Sequence, residues 1–359
     1  MISSREVVPR RLAGQFFTTP RATKASDVVR ALGAVQAQDY AGAKWALAQR
    51  TRGATDAVVE REVSEGSILR THVLRPTWHF VVPHDIRWML ALTAPRVRAA
   101  MAYYDRKLEL DAGVFRRSNN ALTKALTGGK HLTRAELGEV LGRAGVRKAS
   151  GQRLGHLMSR AELDAVVCSG PRRGKQFTYA LLEERVPPAP GLERDAALLL
   201  LTWRYFSTRG PATGRDFAWW SGLTMSDVKR GMQIAGRKLE HATIDGGHFW
   251  FVERSVPKVS HTAHLLPNYD EYFIGYKDRS AITRRLGSAK AVTGGNALIA
   301  HVVFVDGQLV GGWKRVFAKQ AVVVELELVT RLTAAEWTRV AAAARKFGKF
   351  LDMPVTLRG

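Results

Sequence analysis

The sequence predicts an α+β fold in which helical segments alternate with short hairpins and give way to a strand-rich end. Three observations predict it. Hydroxyl or carboxylate helix caps recur ahead of apolar residues at helical spacing. The order helix, turn, helix, two short β-like runs occupies residues about 126–190 and recurs at about 191–259. Alternating apolar runs then dominate about 260–359. With 359 residues, 46% hydrophobic and 24% charged, the chain is long enough for several domains and a large core.

The elements follow in order. In the first segment, about 1–125, Ser26 and Asp27 read as the cap of a helix through VVRALGAVQAQ, and Thr55 and Asp56 open a second helix. THVLRPTWHFVV reads as a strand or hairpin interrupted by Pro76, and Pro83-His84-Asp85 starts a further helix. In the second segment, about 126–190, Thr133 and Glu136 form a capping box at the start of ELGEVLGRAG. The helix QRLGHLMSRAEL follows, then LDAVVCSG and KQFTYALL joined by a basic tip at 171–175. This is the winged helix-turn-helix order. Its second helix carries Arg153, His156 and Arg160, and its wing Arg172, Arg173 and Lys175, where a DNA-reading module places cations.

A Pro-rich linker at 186–195 leads to the third segment, about 191–259, with a helix stopped at Gly210, a cap at Thr213 and a hairpin turning at Asp245-Gly246. The last segment, about 260–359, has a hairpin about Asp306-Gly307, a strand AVVVELELV and a closing amphipathic helix.

Composition restricts function. Lys+Arg is 55 against 32 Asp+Glu, a net charge of +23. Such a field attracts polyanions, above all nucleic acid. The single cysteine, Cys168, excludes an internal disulfide and a zinc finger, and reads as a small buried hydrophobe. The N-terminus has no sustained apolar stretch and no run of about 18 apolar residues occurs, so a cytoplasmic, nucleoid-associated protein is expected. His72 and His79 have no third ligand at metal spacing, so no metal and no cofactor are expected.

The pair Gln36 and Gln38 admits two readings. On a helix they lie on nearly opposite faces and are ordinary polar residues at a helix end. On extended backbone they share a face and present two amides to one small volume. A glutamine does not ionise, but it holds and aims a water. Asp39 beside them reads as a helix cap.

Gln36-Ala37-Gln38, RPTWHFV at 75–81, RGPAT and DFAWWSGL within 209–223, and LLPNYDEYFIGYKDRS at 265–280 together resemble the AlkZ/YcaQ family of bacterial winged-helix DNA glycosylases, in the right order and over essentially the whole chain. The third motif position is Gln38 rather than aspartate, so the chain is similar to the AlkZ branch. The resemblance implies three tandem winged helices around a concave DNA channel with a small C-terminal β-barrel, the first unit carrying the catalytic motif. It implies excision of bulky or cationic N7-alkylated purines from double-stranded DNA, natural-product adducts and crosslinks included, in repair or self-resistance. Gln36 and Gln38 are then the catalytic pair. Arg75, Thr77, Trp78 and His79 line the lesion cleft or grip phosphate. Asn268 and Asp270, with Glu271, form a polar network tying the last segment to the cleft, with a catalytic carboxylate as the lesser alternative. Lys277, Arg279, Lys314 and Arg315 join the wing cations as phosphate or minor-groove contacts. A monomeric, monofunctional enzyme is expected. The alternative is a winged-helix regulator without enzymatic activity; an RNA-binding protein is a third reading.

Overall fold

A computed structural model describes residues 2–18, 22–254, 261–287 and 301–359. The expected boundary near 259 and the start of the ALIAHVVFV strand fall outside these residues.

The fold is mixed α and β. Helices Val7–Gly14, Ala25–Leu32, Tyr40–Arg50 and Asp56–Ser64 surround a three-stranded sheet of β1 (Val35–Gln36), β2 (Leu69–His72) and β3 (Trp78–Val81), in the order β1-β3-β2. Helix Pro83–Lys107 leads away from it. Helix Ala25–Leu32 differs from its expected start and end. It begins at Ala25, because the Ala25 and Ser26 amides donate to the distant Glu62 carboxylate at 2.8 Å each rather than to a local cap. It ends at Leu32, where Gly33 takes a φ of 83° that L side chains rarely adopt.

The next part follows the expected order. The Thr133–Glu136 capping box starts helix Arg134–Arg143, and helix Gly151–Leu163 follows. β4 (Leu132–Thr133), β5 (Val167–Ser169) and β6 (Thr178–Leu181) form a sheet with β6 central. Cys168 is buried in β5, and burial pushes its thiol up to about 12, so it is no nucleophile. Helices Arg194–Arg209, Gly214–Ser221 and Met225–Ala235 precede the hairpin of β7 (Glu240–Ile244) and β8 (Gly247–Phe251), whose turn is at Asp245-Gly246.

At the C-terminus β9 (Ala263–Leu266), β10 (Val302–Val305), β11 (Gln308–Phe317), β12 (Val322–Leu328) and β13 (Val355–Arg358) pair in the order β13-β12-β11-β10-β9. This is a curled half-barrel rather than a closed barrel, because β9 and β13 remain edges. Val322 and Val324 are buried, as their alternation predicts, against helix Ala334–Leu351. The parallel strand β13 carries no local signal beyond its neighbours.

Three buried arginine–carboxylate pairs bolt distant segments together. They are Arg50–Asp270 (two contacts of 2.8 Å), Arg204–Asp85 (2.5 and 3.1 Å) and Arg209–Glu271 (2.5 Å). No described helix is long and apolar enough to cross a membrane.

Buried histidines set an acid limit to stability. Burial and nearby cations lower His264 to about 3 and His301 to about 4, and hold His79 well below 6.5. The unfolded chain binds these protons near pH 6.5; the folded chain does not until far lower. Stability is therefore full above about pH 6.5 and falls as pH drops toward about 4.5, by up to about 1.4 kcal/mol per pH unit for each histidine. Melting temperatures across that window should decline; an unchanged or rising value refutes this account.

Candidate active site

Gln36 ends strand β1, and Gln38 lies in the bend between that strand and the next helix. Val35 pairs with Phe80 and Gln36 with His79, and the Ala37 amide donates to the Trp78 carbonyl at 2.7 Å. The chain turns into helix Tyr40–Arg50 only after Gln38, where Asp39 caps that helix through the Gly42 amide at 3.0 Å.

Contacts from other motifs hold this stretch open against helix formation. The Gln36 amide donates to Glu271 Oε1 at 2.9 Å. Arg70 Nε donates to the Ala37 carbonyl at 3.0 Å, its guanidinium lying 4.3 Å from the Trp78 ring and 4.6 Å from Phe177. The two glutamines are unequal. Gln36 is 7% exposed, and its Oε1 accepts from Arg75 Nη2 at 2.9 Å. A guanidinium only donates, so this contact fixes which way the amide points. Gln38 is exposed, and its Oε1 lies 3.5 Å from the Trp78 amide.

Arg75 is half-buried and has no carboxylate within ion-pair distance among the described residues. Burial lowers its pKa, Glu271 raises it and Arg209 lowers it further. Its loop is tight: Leu74 has a φ of 65°, and a Cβ on Gly222 would stand 2.2 Å from the Leu74 carbonyl oxygen. The SGL turn and the RPTWHFV loop thus meet backbone to backbone.

Glu271 is the hub. Fully buried, it accepts from the Gln36 amide, from Arg209 Nη2 at 2.5 Å and from Trp220 Nε1 at 2.7 Å. Both of its oxygens are thus committed to donors. All four sequence fragments converge here: Gln36, the Arg75 loop, Trp220 with Gly222, and Glu271.

The other expected site residues divide into three groups. Asp270 pairs with Arg50 on the helix that follows the glutamines, and the Asn268 amide donates to His301 Nδ1 at 2.9 Å. Asp270 thus ties the last segment to the motif, whereas Asn268 and His301 both lie within that segment. Arg315 lies 3.8 Å from Asp39, beside Gln38. Lys175, Lys277 and Lys314 are exposed, the last 3.9 Å from Glu327.

A third group has partners within the chain. His79 is fully enclosed and reaches no phosphate. Thr77 accepts from His79 through its carbonyl (2.9 Å) and keeps its Oγ1 buried. Trp78 is half-buried, its ring 4.6 Å from that of His72. It also lines a recess of about 340 Å³ with Arg70, Phe177 and Lys175. Arg153 donates to the carbonyls of Arg147 (3.1 Å) and Leu108, His156 meets Asp105 at 2.6 Å, and Arg160 meets Asp164 at 2.9 Å. The cations of the presumed reading helix are thus spent inside the chain. Arg172 contacts Glu60 at 3.3 Å, and Arg173 contacts Glu136 and the His131 carbonyl at 2.7 Å each. Arg279 donates to the Phe273 carbonyl at 2.9 Å. Sequence spacing marks these residues as cations; it does not reveal the acceptors that long-range packing brings to them.

Sequence reasoning missed Arg50, Arg70, Arg209 and Trp220. Arg209 and Trp220 lie within the quoted RGPAT and DFAWWSGL fragments, but nothing local marked their partners. His72 is engaged by Glu162 at 2.5 Å, and among the described residues no group of three His, Cys, Asp or Glu is placed to hold a metal.

The family described as DNA glycosylase AlkZ-like matches residues 29–350. The chain belongs to the AlkZ-like DNA glycosylases. A curated relative, the interstrand DNA cross-link repair glycosylase of Streptomyces sahachiroi, is 26% identical over 372 aligned residues, covering 99% of each chain. The solved structure of Streptomyces sahachiroi DNA glycosylase AlkZ superposes with a TM-score of 0.80 at 24% identity, again over 99% of both chains. As an AlkZ-like protein the chain is a DNA glycosylase, so DNA is its substrate and the regulator reading gives way.

Proposed function

We propose that this glycosylase hydrolyses the N-glycosidic bond of purines alkylated at N7, bulky adducts and interstrand crosslinks included, using a water held by Gln36 and Gln38. The observation that carries the reading is that the motif leaves helix geometry at Val35–Gln36 and is braced by Arg75, Arg70 and Glu271, with Gln36 oriented and Gln38 exposed beside it. An N7-alkylated purine is already cationic and leaves without an acid. The transition state resembles an oxocarbenium ion, so oriented amide dipoles and an aimed water supply what remains. An aspartate would matter more for uncharged lesions. Among the described residues no lysine is hydrogen-bonded to either glutamine, and we read the enzyme as monofunctional, leaving an abasic site.

The helix–helix–hairpin orders at 134–181 and 194–251, with the 25–81 segment before them, are read as three tandem winged helices that form the DNA-facing scaffold, with units of about 1–125, 126–190, 191–259 and 260–359. A monomer suffices for this arrangement. Lys175, Lys277, Lys314 and Arg315 are the cations left free or rim-placed to meet phosphate.

The test is incubation with duplexes carrying an N7-methylguanine, a bulky N7 monoadduct or an N7–N7 crosslink, with mass spectrometry of the released base. Free alkylated purine and an un-nicked abasic strand are expected. Tight binding to one undamaged sequence with no base released would overturn the assignment.

A further inference from the structure

We propose that His79 is a positioning residue for the hydrolysis: its neutral Nε2 accepts a hydrogen bond from the water that Gln36 holds. The proposal rests on the reading of Gln36 as a water-holding amide.

The sheet register places the two side chains together. Gln36 on β1 pairs with His79 on β3, and His79 pairs with Thr71 on β2. Directly opposed residues point to the same face, with Cβ atoms about 5 Å apart. Gln36, His79 and Thr71 thus form one row across the sheet. Trp78, Phe80 and Arg70 occupy the other face, where the aromatic stacking lies.

The tautomer follows from the partners. His79 Nδ1 lies 2.9 Å from the Thr77 carbonyl. A carbonyl only accepts, so Nδ1 carries the proton and Nε2 presents a bare lone pair. That Nε2 is buried and has no protein partner. The same holds for Thr71 Oγ1, Thr77 Oγ1 and Arg75 Nε. His79 Nε2 and Thr71 Oγ1 belong to the row that carries Gln36, while Thr77 and Arg75 lie on the loop that leads into β3. Buried polar atoms are almost always hydrogen-bonded, and water is the partner that fits where no protein atom reaches. Burial together with the Arg75 and Arg209 charges keeps the imidazole neutral, so Nε2 stays an acceptor through the neutral range.

The hydrogen-bond inventory explains why an acceptor is needed. Gln36 Oε1 is turned to Arg75, which leaves its NH2 group to donate to the water oxygen. The water's own two protons then require acceptors, and His79 Nε2 and Gln38 Oε1 supply them. With both protons held, the remaining lone pair is directed at C1′. In the step itself the C1′–O bond forms as the C1′–N9 bond breaks. The electron pair of the broken bond passes to the purine and cancels its alkylation charge. One water proton passes to bulk solvent, and His79 remains neutral throughout.

His79→Leu and His79→Gln, with the wild type, would be compared in single-turnover excision on an N7-methylguanine duplex, alongside lesion-DNA affinity and thermal stability. His79→Leu should slow excision by about 10²-fold with affinity changed by less than about twofold, and His79→Gln, which restores an acceptor oxygen, should recover about tenfold or more. The wild-type rate should be flat between about pH 6 and 9, as a histidine that stays neutral requires. Excision by His79→Leu at the wild-type rate overturns the proposal. So does equal loss in both variants that tracks their destabilisation, or a rate that falls with a titration near pH 6.5. If the wild type releases no base from any adduct, the reading of the whole site has failed. Nitrogen-15 NMR of His79 then decides the positioning claim separately: an Nε2 resonance typical of an unprotonated acceptor supports it, and a protonated Nε2 overturns it.

Discussion

Alanine at both Gln36 and Gln38 should lower single-turnover excision by about 10³-fold, and each single change by about 10²-fold. The two effects will not multiply, because the amides act on one water. Gln38→Ala is the cleaner variant. Gln38 is exposed and contacts only the Trp78 amide, at 3.5 Å, so its loss leaves no buried group unpaired. Gln36→Ala also strips Arg75 of the acceptor at 2.9 Å and frees its loop, so its effect includes a misplaced cation. The residual rate is set by the lesion. A cationic purine departs spontaneously, so the fold-loss should be smallest for the most activated adduct and grow as the leaving group weakens. Full activity of the double variant on all adducts would show that the amides do no chemistry.

Glu271→Gln should destabilise the protein by about 3–5 kcal/mol, a large part of the stability of an ordinary domain. The substitution keeps the shape but removes the charge that faces Arg209, and both side chains are wholly buried. The Arg209 guanidinium also donates to the Leu32 carbonyl at 2.9 Å, so it has no route to solvent short of opening the interior. The NH2 of the variant faces either the Gln36 N–H or the Trp220 and Arg209 donors, and only an acceptor fits at each position. Excision should fall as well, because the strand bearing Gln36 loses its brace. Equilibrium denaturation measures the effect. A loss below about 1 kcal/mol would show that the hub is dispensable. Pairing the change with Arg209→Met should recover much of the stability, since replacing a whole buried ion pair by apolar groups is far less costly than breaking it.

The helix caps at Thr55, Thr133 and Thr213, the turns at Asp245-Gly246 and Asp306-Gly307, and the alternation of Val322 and Val324 were legible because each is written within a few neighbouring residues. The end of helix Ala25–Leu32 was not. VVRALGAVQAQ has helical periodicity throughout, yet Val35 and Gln36 are extended because Glu271, 235 residues away, takes the Gln36 amide. The intramolecular partners of the wing and helix cations were hidden for the same reason. Arg153 and Arg173 look free in sequence and meet their acceptors only through packing.

By itself, then, the sequence determined the local elements, the strong positive charge and the family, since caps, turns, composition and ordered motifs are properties of short stretches. The tertiary structure alone decided that Gln36 lies on a strand with Gln38 in the bend after it, that Arg75 orients Gln36, and that Glu271 accepts from three donors. Those outcomes depend on which donors and acceptors meet across hundreds of residues once burial denies them water, and no local pattern encodes such a meeting.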